Sequence, residues 1–546
     1  MSYLTLFTIG PVQGFIAQAR KLQDLYAGSF LLSYLSKKAM NKAAPNPIPE
    51  QNKAEILFPD KDKNAAPNRF LMLVKAEDEA EWQSFCAGLA QYVKQEWVNI
   101  AKSVFKEKNL NYSDTVSAQI ESVLQVYYAA EEYPKKGFGS ETFADCYIKV
   151  IKRLGSAKIF RDFNQLNELG GRKCSIMHEY NALFYRKKSS FITPDAQEVT
   201  AENTAGLDKY IKPGEALCAV SLVKRCLKSA IPAFDDDFPS VTDIYEMYGS
   251  KYNEDDDKHG YYAVIKFDGD DMGMWYSQPE KKGINPEKIE AFQRYLSGEI
   301  STFADTHSRG IVNWNKTDKA KGTGVVIYAG GEDFLGVFNL ENVFALLKKL
   351  REVFGSINLT EYYENANEAD NKTLTFSAGV VIAHVKTPLS QVRKMAEKAE
   401  EKAKGYNNKQ KDAFCLTIAK HSGEVTDFIQ PFYYDDNSSS LEVLESLVGI
   451  IVKTGLSVKF IYQLGQELER LAETENNSLH KEIFLSEAKR IVSHSEFTSA
   501  EKRKTIVADV MRILEKLTNN SGFNLKNLLM YLRAIAFIAR ERSAIE

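Results

Sequence analysis

The sequence predicts an α+β protein with two ferredoxin-like or polymerase-palm domains, a mixed connector between them and a helical bundle at the C-terminal end. Three observations predict it. From Tyr261 to about residue 420 the apolar patterning reads β-α-β-β-α-β-α; the first 150 residues repeat that order more faintly; and from about residue 440 only helical stripes remain. A split βαβ sheet in this order is shared by ferredoxin-like folds and polymerase palms.

In the second copy, "YYAVIKFD" is a short run of β-branched and aromatic residues, the pattern of a buried strand. The segment "NPEKIEAFQRYLSGEISTFA" opens with Asn285 as N-cap and Pro286 at the first helical position, and Ile289, Phe292, Leu296, Ile300 and Phe303 share one stripe. "TGVVIYAGGEDFLGVF" predicts two strands joined at a glycine pair, a hairpin. A helix "ENVFALLKKLREVF", a strand "LTFSAGVVIAHV" and a helix opened by Thr387 and Pro388 and ended at Gly405 complete the copy. The first copy offers a strand "YLTLFTI", helix over 12–42, a hairpin from "ILFP" and "RFLMLVK", helix over 77–106, a strand "ESVLQVYYAA" and a helix "ETFADCYIKVIKRL". First to last strand spans roughly 115 residues in each copy, as an internal repeat requires. The first hairpin connection, "PDKDKNAAPN", is long and lacks a glycine-carboxylate turn. The expected division is therefore 1–150, a non-catalytic first palm; 151–260, a mixed connector; 261–420, a catalytic second palm; and 421–546, a helical domain.

Composition limits the function classes. The 546 residues are 44 % hydrophobic and 26 % charged, which excludes a largely disordered chain, and the net charge of −3 leaves no global basic excess for nucleic acid. Six scattered cysteines without a CxxC pair fit a reducing cytoplasm and argue against a disulfide framework. The N-terminus has neither a basic leader nor a long apolar core, and no apolar run reaches the roughly 18 residues of a membrane span, so a cytoplasmic protein is expected. The acidic runs Asp235–Asp237 and Glu254–Asp257 lack the fixed spacing of a calcium loop and are read as solvated.

The chemistry concentrates in "FDGDD" at 267–271 and "YAGGEDF" at 328–334. On the predicted sheet Asp268 ends the first strand, and Glu332 and Asp333 lie at the turn of the neighbouring hairpin. Strands lie about 5 Å apart, so these carboxylates converge and need a cation to neutralise them. Oxygen ligands of this kind suit Mg²⁺ or Mn²⁺, which bridge nucleotide phosphates; two such ions activate a 3′-hydroxyl and stabilise leaving pyrophosphate. Gly330 and Gly331 are expected to leave the backbone open to a nucleotide. GGED alone is also an ordinary polar turn; the strand context and the upstream DGDD give it weight. Lys404, at a helix end, is placed either for a triphosphate or simply for the helix dipole. Ser377 and Gly379 in "FSAG" line the site or permit tight packing, and Gly28, Ser29 and Ser33 in "DLYAGSFLLSYLS" pack a helix or face a site between the copies.

The segments "TIGPVQGFIAQARKLQDLYAGSFLLSYLS", "GEALCAVSLVKR", "DGDDMG" and "YAGGEDFL" together resemble the large palm-domain subunit of type III-B CRISPR effector (Cmr) complexes. The resemblance implies a cytoplasmic, RNA-guided antiviral ribonucleoprotein with other Cmr subunits, guide CRISPR RNA and target RNA as partners. It implies a second palm that, once target RNA binds, converts ATP into cyclic oligoadenylate, a second messenger. On this chain the implied metal and catalytic residues are Asp268, Glu332 and Asp333, with Gly330 and Gly331 shaping the turn; Ser29 and Ser33 match the first-palm segment that faces the nucleotide. Three departures stand out. No HD-type nuclease signature precedes the palm, so DNA cleavage is not expected. "RKCSIMHE" keeps Cys174 and His178 but not a cysteine pair, so the zinc-ribbon region is degenerate and no zinc is expected. The usual GGDD reads GGED, and the longer acid is expected to shift the metal or alter the acceptor. A related branch without the nuclease joins ATP to S-adenosylmethionine, which keeps that product in play. A catalytically inactive scaffold that holds RNA is the non-enzyme alternative, and a GGDEF-like diguanylate cyclase the distant enzyme one.

Overall fold

The computed structural model describes residues 1–45, 53–63, 66–133, 141–160, 166, 168, 170–186, 196–199, 206–247, 251–253, 259–311, 323–364, 373–473, 477–496 and 503–544. The acidic run Glu254–Asp257 lies outside them.

The first copy forms a four-stranded antiparallel sheet from β1 (Ser2–Gly10), β2 (Ala54–Phe58), β3 (Arg69–Lys75) and β4 (Gln125–Tyr133), in the order β2-β3-β1-β4. Helices α1 (Val12–Ala17), α2 (Leu22–Ala43), α3 (Glu79–Glu107) and α4 (Asp114–Glu121) fill the crossovers, and α5 (Glu141–Ile159) follows β4. Odd-numbered β1 residues Tyr3, Phe7 and Ile9 join the core under α2 and α3, whereas Leu4 and Leu6 face α5. This is the period of two expected of a strand covered on both faces.

The connector contributes a small sheet of β5 (Phe184–Tyr185), β6 (Gln197–Glu198) and β7 (Ala216–Leu217), then α6 (Ala219–Arg225) and α7 (Val241–Glu246). The "LVKR" of the sequence is α6, and its two cations are buried, each about 1 % exposed. Arg225 bonds Asp24 of α2 through Nε at 2.8 Å, Glu215 through Nη1 at 2.7 Å and the Tyr210 carbonyl at 2.6 Å. Burial alone would raise the Asp24 and Glu215 carboxyls; the charge and hydrogen bonds of Arg225 outweigh it and hold both below the usual carboxylate range. Lys224 donates to the carbonyls of Phe15 at 2.9 Å and Gln18 at 3.1 Å, at the end of α1. Burial pulls its ammonium down to about 8. Cys174 and Cys218 meet around the same Ser221 hydroxyl, at 3.5 and 3.3 Å, while His178 Nδ1 contacts the Cys174 carbonyl and not its thiol.

The second copy forms a six-stranded sheet in the order β13-β12-β11-β8-β10-β9, from β8 (Tyr261–Gly269), β9 (Gly324–Ala329), β10 (Asp333–Asn339), β11 (Phe376–His384), β12 (Ala413–Ala419) and β13 (Val425–Pro431). Its helices are α8 (Met272–Ser277), α9 (Ile289–Thr302), α10 (Ser308–Ile311), α11 (Val343–Gly355) and α12 (Leu389–Lys404). The first four strands, β8 to β11, repeat the order of the first sheet. The α9 stripe Ile289, Phe292, Leu296, Ile300 and Phe303 is buried in full. The boundary expected at 420 falls inside this sheet, because β13 pairs with β12 through 425–431.

Helices α13 (Ser440–Thr454), α14 (Lys459–Leu468), α15 (Asn477–Ser493), α16 (Arg503–Thr518) and α17 (Leu525–Ser543) follow. Their apolar residues share one core with α9, α11 and the sheet. Asn527 of α17 bonds both backbone groups of Ile429 in β13, at 2.9 and 2.8 Å. A side-chain amide thereby completes the edge strand that would otherwise present open hydrogen-bonding groups.

Breaking a buried ion network strands its remaining charges. Substituting Arg225→Met is expected to destabilise the chain by about 3–5 kcal/mol, read from urea denaturation. A loss under about 1 kcal/mol, the range of exposed pairs, would show that the network is not what holds α6 to α2.

Candidate active site

The central strand β8 places the site. Antiparallel pairing sets Asp333 of β10 opposite Asp268, and Ser377 of β11 opposite Asp268 on the other side. Phe267 and Phe334, one residue along, stack at 4.7 Å in the opposite face's core. The two carboxylates therefore share the face covered by α12, together with Lys266. Lys404 at the end of α12 reaches Asp268 Oδ2 at 2.7 Å and Glu400 Oε1 at 2.6 Å. Lys266 donates to Glu400 and stands 3.6 Å from Asp333 Oδ1. That Asp333 oxygen is buried without a hydrogen-bond partner, although the side chain as a whole is 42 % exposed.

Electrostatics follow from this packing. Burial pushes the Asp333 carboxyl up to about 6, with the charges of Asp268 and Glu400 adding and Lys266 opposing. Glu332 is pushed up to about 7, again by burial first, with Asp268 and Asp333 raising it and Arg69 of the first palm lowering it. Lys404 loses affinity for its proton through burial but gains more from its hydrogen bonds to Asp268 and Glu400, so it is held charged.

Of the residues singled out from the sequence, Asp268, Asp333 and Lys404 come together in one array. Glu332 shares their field, since Asp268 and Asp333 both raise its carboxyl, but makes no ion pair with Lys404 or Lys266. Its Cβ abuts Gly269, where an added Cβ would lie 2.9 Å away, and its charge is felt by Tyr147 of α5 and Tyr276 of α8. The turn that carries the GGED glutamate therefore also lies near the contact between the palms. Ser377 is corrected: it is fully buried, and its hydroxyl donates to Asp270 Oδ1 at 2.8 Å instead of facing a ligand. Gly379 is there for packing, since a Cβ would lie 2.3 Å from the Ala396 carbonyl of α12. Gly331 adopts φ +89°, which favours glycine, whereas Gly330 makes room for the Tyr328 phenol, 2.1 Å from where a Cβ would sit. The ring of Tyr328, not open backbone, covers that turn.

Ser29 and Ser33 line a cleft of about 630 Å³ between α2 and the second palm. Tyr26, Phe30, Lys37 and Lys38 line it from the first palm, Arg309 and Tyr328 from the second. The Tyr328 phenol is raised well above the usual range, first by burial and then by the charges of Asp333, Glu332 and Asp268. The Ser33 hydroxyl also accepts the Ala66 amide at 2.9 Å.

Asp270, Asp271, Lys266 and Glu400 were not singled out. Asp270 is buried and takes Ser377, Thr375 and the Asp412 amide; Asp271, at φ +56°, pairs with Lys282 and Lys411. A lysine inside the apolar run "YYAVIKFD" and a glutamate on the alanine stripe of α12 were the available signals, because a buried charge demands a partner.

Among the described residues no group of three or more His, Cys, Asp or Glu side chains is arranged to hold a metal ion. The donor set nonetheless fits Mg²⁺ or Mn²⁺ of the kind that takes one or two protein carboxylates plus phosphate oxygens: Asp268 and Asp333 stand opposite each other in register, and Asp333 Oδ1, though 3.6 Å from Lys266, accepts no hydrogen bond.

The fold and site define a two-palm protein with a pair of facing carboxylates on one palm and none at the matching register of the other, where Thr8 pairs with Arg69. Residues 261–415 match the family model for the second palm domain of Cas10/Cmr2, and residues 4–102 that for the N-terminal part of the CRISPR-associated protein Cmr2. These two stretches are thus similar to the Cas10/Cmr2 family. It is 24 % identical over 316 residues to the CRISPR system Cmr subunit Cmr2 of Pyrococcus furiosus, covering 55 % of this chain and 34 % of that protein. It is 27 % identical over 350 residues to the single-strand-specific deoxyribonuclease Cas10/Csm1 of subtype III-A from Streptococcus thermophilus, covering 56 % of this chain and 42 % of that one. The matches thus span about a third to two fifths of these relatives' length. In fold it resembles the type III-B Cmr-beta cryo-EM structures in the apo state (TM-score 0.66) and bound to cognate target RNA (TM-score 0.65). Each is 14 % identical and covers 98 % of this chain, and 82 % and 83 % of the matched chains, respectively. No described helix is long and apolar enough to cross a membrane.

Because Glu332 holds protons more tightly folded (about 7) than at its ordinary 4.5, folding costs more as pH rises through that window. The variant Glu332→Gln is expected to gain stability over the parent between pH 4.5 and 7 and to keep that gain above it, by denaturation midpoints at fixed ionic strength. A difference independent of pH would place the carboxyl in water instead.

Proposed function

We propose that this chain is the large palm subunit of a type III-B CRISPR effector complex, working with other Cmr subunits, guide RNA and target RNA. In this reading its second palm joins nucleotides from ATP, once target RNA has bound, to make a second messenger. The observation that carries the reading is the Asp268–Asp333 pair on one sheet end with Lys404 beside it, in a molecule whose two palms line a common cleft. The similarity of residues 4–102 and 261–415 to Cmr2 and Cas10/Cmr2 domains, and the fold shared with Cmr-beta structures, support it.

Asp268 and Asp333 would hold Mg²⁺ or Mn²⁺, which when bound neutralises phosphate charge and lowers the pKa of an attacking hydroxyl. Lys404 adds a fixed cation beside them for a triphosphate. The cleft is within the usual size range for small-molecule sites, and its aromatic side chains Tyr26, Phe30 and Tyr328 offer faces for a base. Its first-palm side, with Ser29, Ser33, Lys37 and Lys38, would orient the acceptor. The acceptor's hydroxyl attacks the α-phosphorus of ATP, the α–β bridging P–O bond breaks, and pyrophosphate leaves. Whether the acceptor is a second ATP, giving cyclic oligoadenylate, or S-adenosylmethionine, giving an adenylated conjugate, changes only what the cleft orients.

The test is a product assay on the assembled complex with guide and matched target RNA, Mg²⁺ or Mn²⁺ and labelled ATP, with and without S-adenosylmethionine, resolved by mass. Oligomers from ATP alone identify the cyclic product, and an adduct that needs S-adenosylmethionine identifies the conjugate. Asp333→Ala is expected to lower either yield by at least about 100-fold with assembly intact. Unchanged turnover in that variant would refute the site, and no product from a target-binding parent complex would favour a scaffold.

A further inference from the structure

Glu400 is 5 % exposed on an α12 face otherwise made of Val392, Ala396, Ala399 and Ala403, packed on β11 beside Gly379. An apolar residue would serve the packing there, since buried ion pairs are commonly replaced by apolar side chains at little cost in stability. What an apolar residue cannot do is divide its two oxygens between two cations. Glu400 Oε2 accepts from Lys266, and Oε1 accepts from Lys404 at 2.6 Å. Each lysine in turn faces one site carboxylate: Lys404 lies 2.7 Å from Asp268 Oδ2, and Lys266 lies 3.6 Å from Asp333 Oδ1. The sequence of contacts is Asp268–Lys404–Glu400–Lys266–Asp333.

In this arrangement the lysines occupy the carboxylates that a nucleotide-bound cation needs. Lys404 would have to give up Asp268 for that carboxylate to hold a cation. A lysine with four rotatable bonds and no second anchor would swing into solvent. Glu400 supplies the second anchor from buried ground one helical turn below.

We infer that Glu400 is a positioning residue that keeps Lys404 at the site while Lys404 exchanges its Asp268 contact for a nucleotide phosphate, with Lys266 fixing the other Glu400 oxygen. This role rests on the nucleotide reading above. It adds a specificity element for the triphosphate, as distinct from the nucleoside.

The test is equilibrium binding of ATP and of adenosine, in Mg²⁺, to the full chain carrying Glu400→Leu or Glu400→Gln. Both substitutions remove the same charge, but only the amide keeps an acceptor for Lys404, so the difference between them reads position alone. ATP is expected to bind the Leu variant about tenfold more weakly than the Gln variant, with adenosine equal in both. The difference should vanish when Lys404→Met is added to each, since the two residues then act as one unit. Equal ATP affinity in the two variants would overturn the inference, as would a parallel loss of adenosine or a difference that survives Lys404→Met. A parent chain that binds ATP no better than adenosine would instead overturn the nucleotide reading and this role with it.

Discussion

The pairing of β8 with β10 and β11 governs everything at the site. With Asp333 opposite Asp268, the even-numbered positions of β8 carry Lys266 and Asp268 to the face under α12, and Phe267 goes to the aromatic stack on the other side. A slip of β8 by one residue would drive Lys266 and Asp268 into that stack and bring a phenylalanine to the face under α12. Burying unpaired carboxylates among phenylalanines costs far more than a sheet hydrogen bond, so the register and the site are one specification. The first sheet has the same register with different contents: Thr8 and Arg69 stand where the acids do. One architecture thus presents a pair of anions on one palm and a cation on the other.

The relation between the two palms is set by α2. Its Leu22 and Leu25 belong to the core over the second sheet, whereas Ala27, Leu31, Leu32 and Leu35 belong to the first. Arg225 pins the helix near the changeover through Asp24, and Lys224 pins the turn before it. The residues that hold no ligand therefore decide where Ser29 and Ser33 sit opposite Tyr328.

Much of this was legible in the sequence. Periodicity marked both copies, the hairpin and the α9 stripe, because each rests on local pattern. The convergence of Asp268 with Asp333 followed from strand order alone. What escaped was set by tertiary packing. Glu332 adjoins Asp333 in sequence, yet Asp333 is the one that stands opposite Asp268 in the ladder, and nothing local says which of the two does so. Ser377 is opposite Asp268 in register, but Asp270 captures its hydroxyl. Gly330 is bare to admit a tyrosine ring two residues away. The strand Val425–Pro431 has an alternating, half-polar pattern that an edge position explains only once Asn527 is seen covering it.

The double membership of α2 also constrains motion. Swinging the palms apart as rigid bodies would peel Leu22 and Leu25 from the second sheet, exposing apolar surface at about 25 cal/mol per Å² and unseating a helix tied to Arg225. The cleft is for that reason a space of set width, and traffic through it falls to side chains. Any change in its opening would then fall to Tyr34, Lys37 and Lys38 on α2 and Arg309 across from them, and Lys37 would first have to leave the Lys63 carbonyl and Lys38 the Glu96 carboxylate.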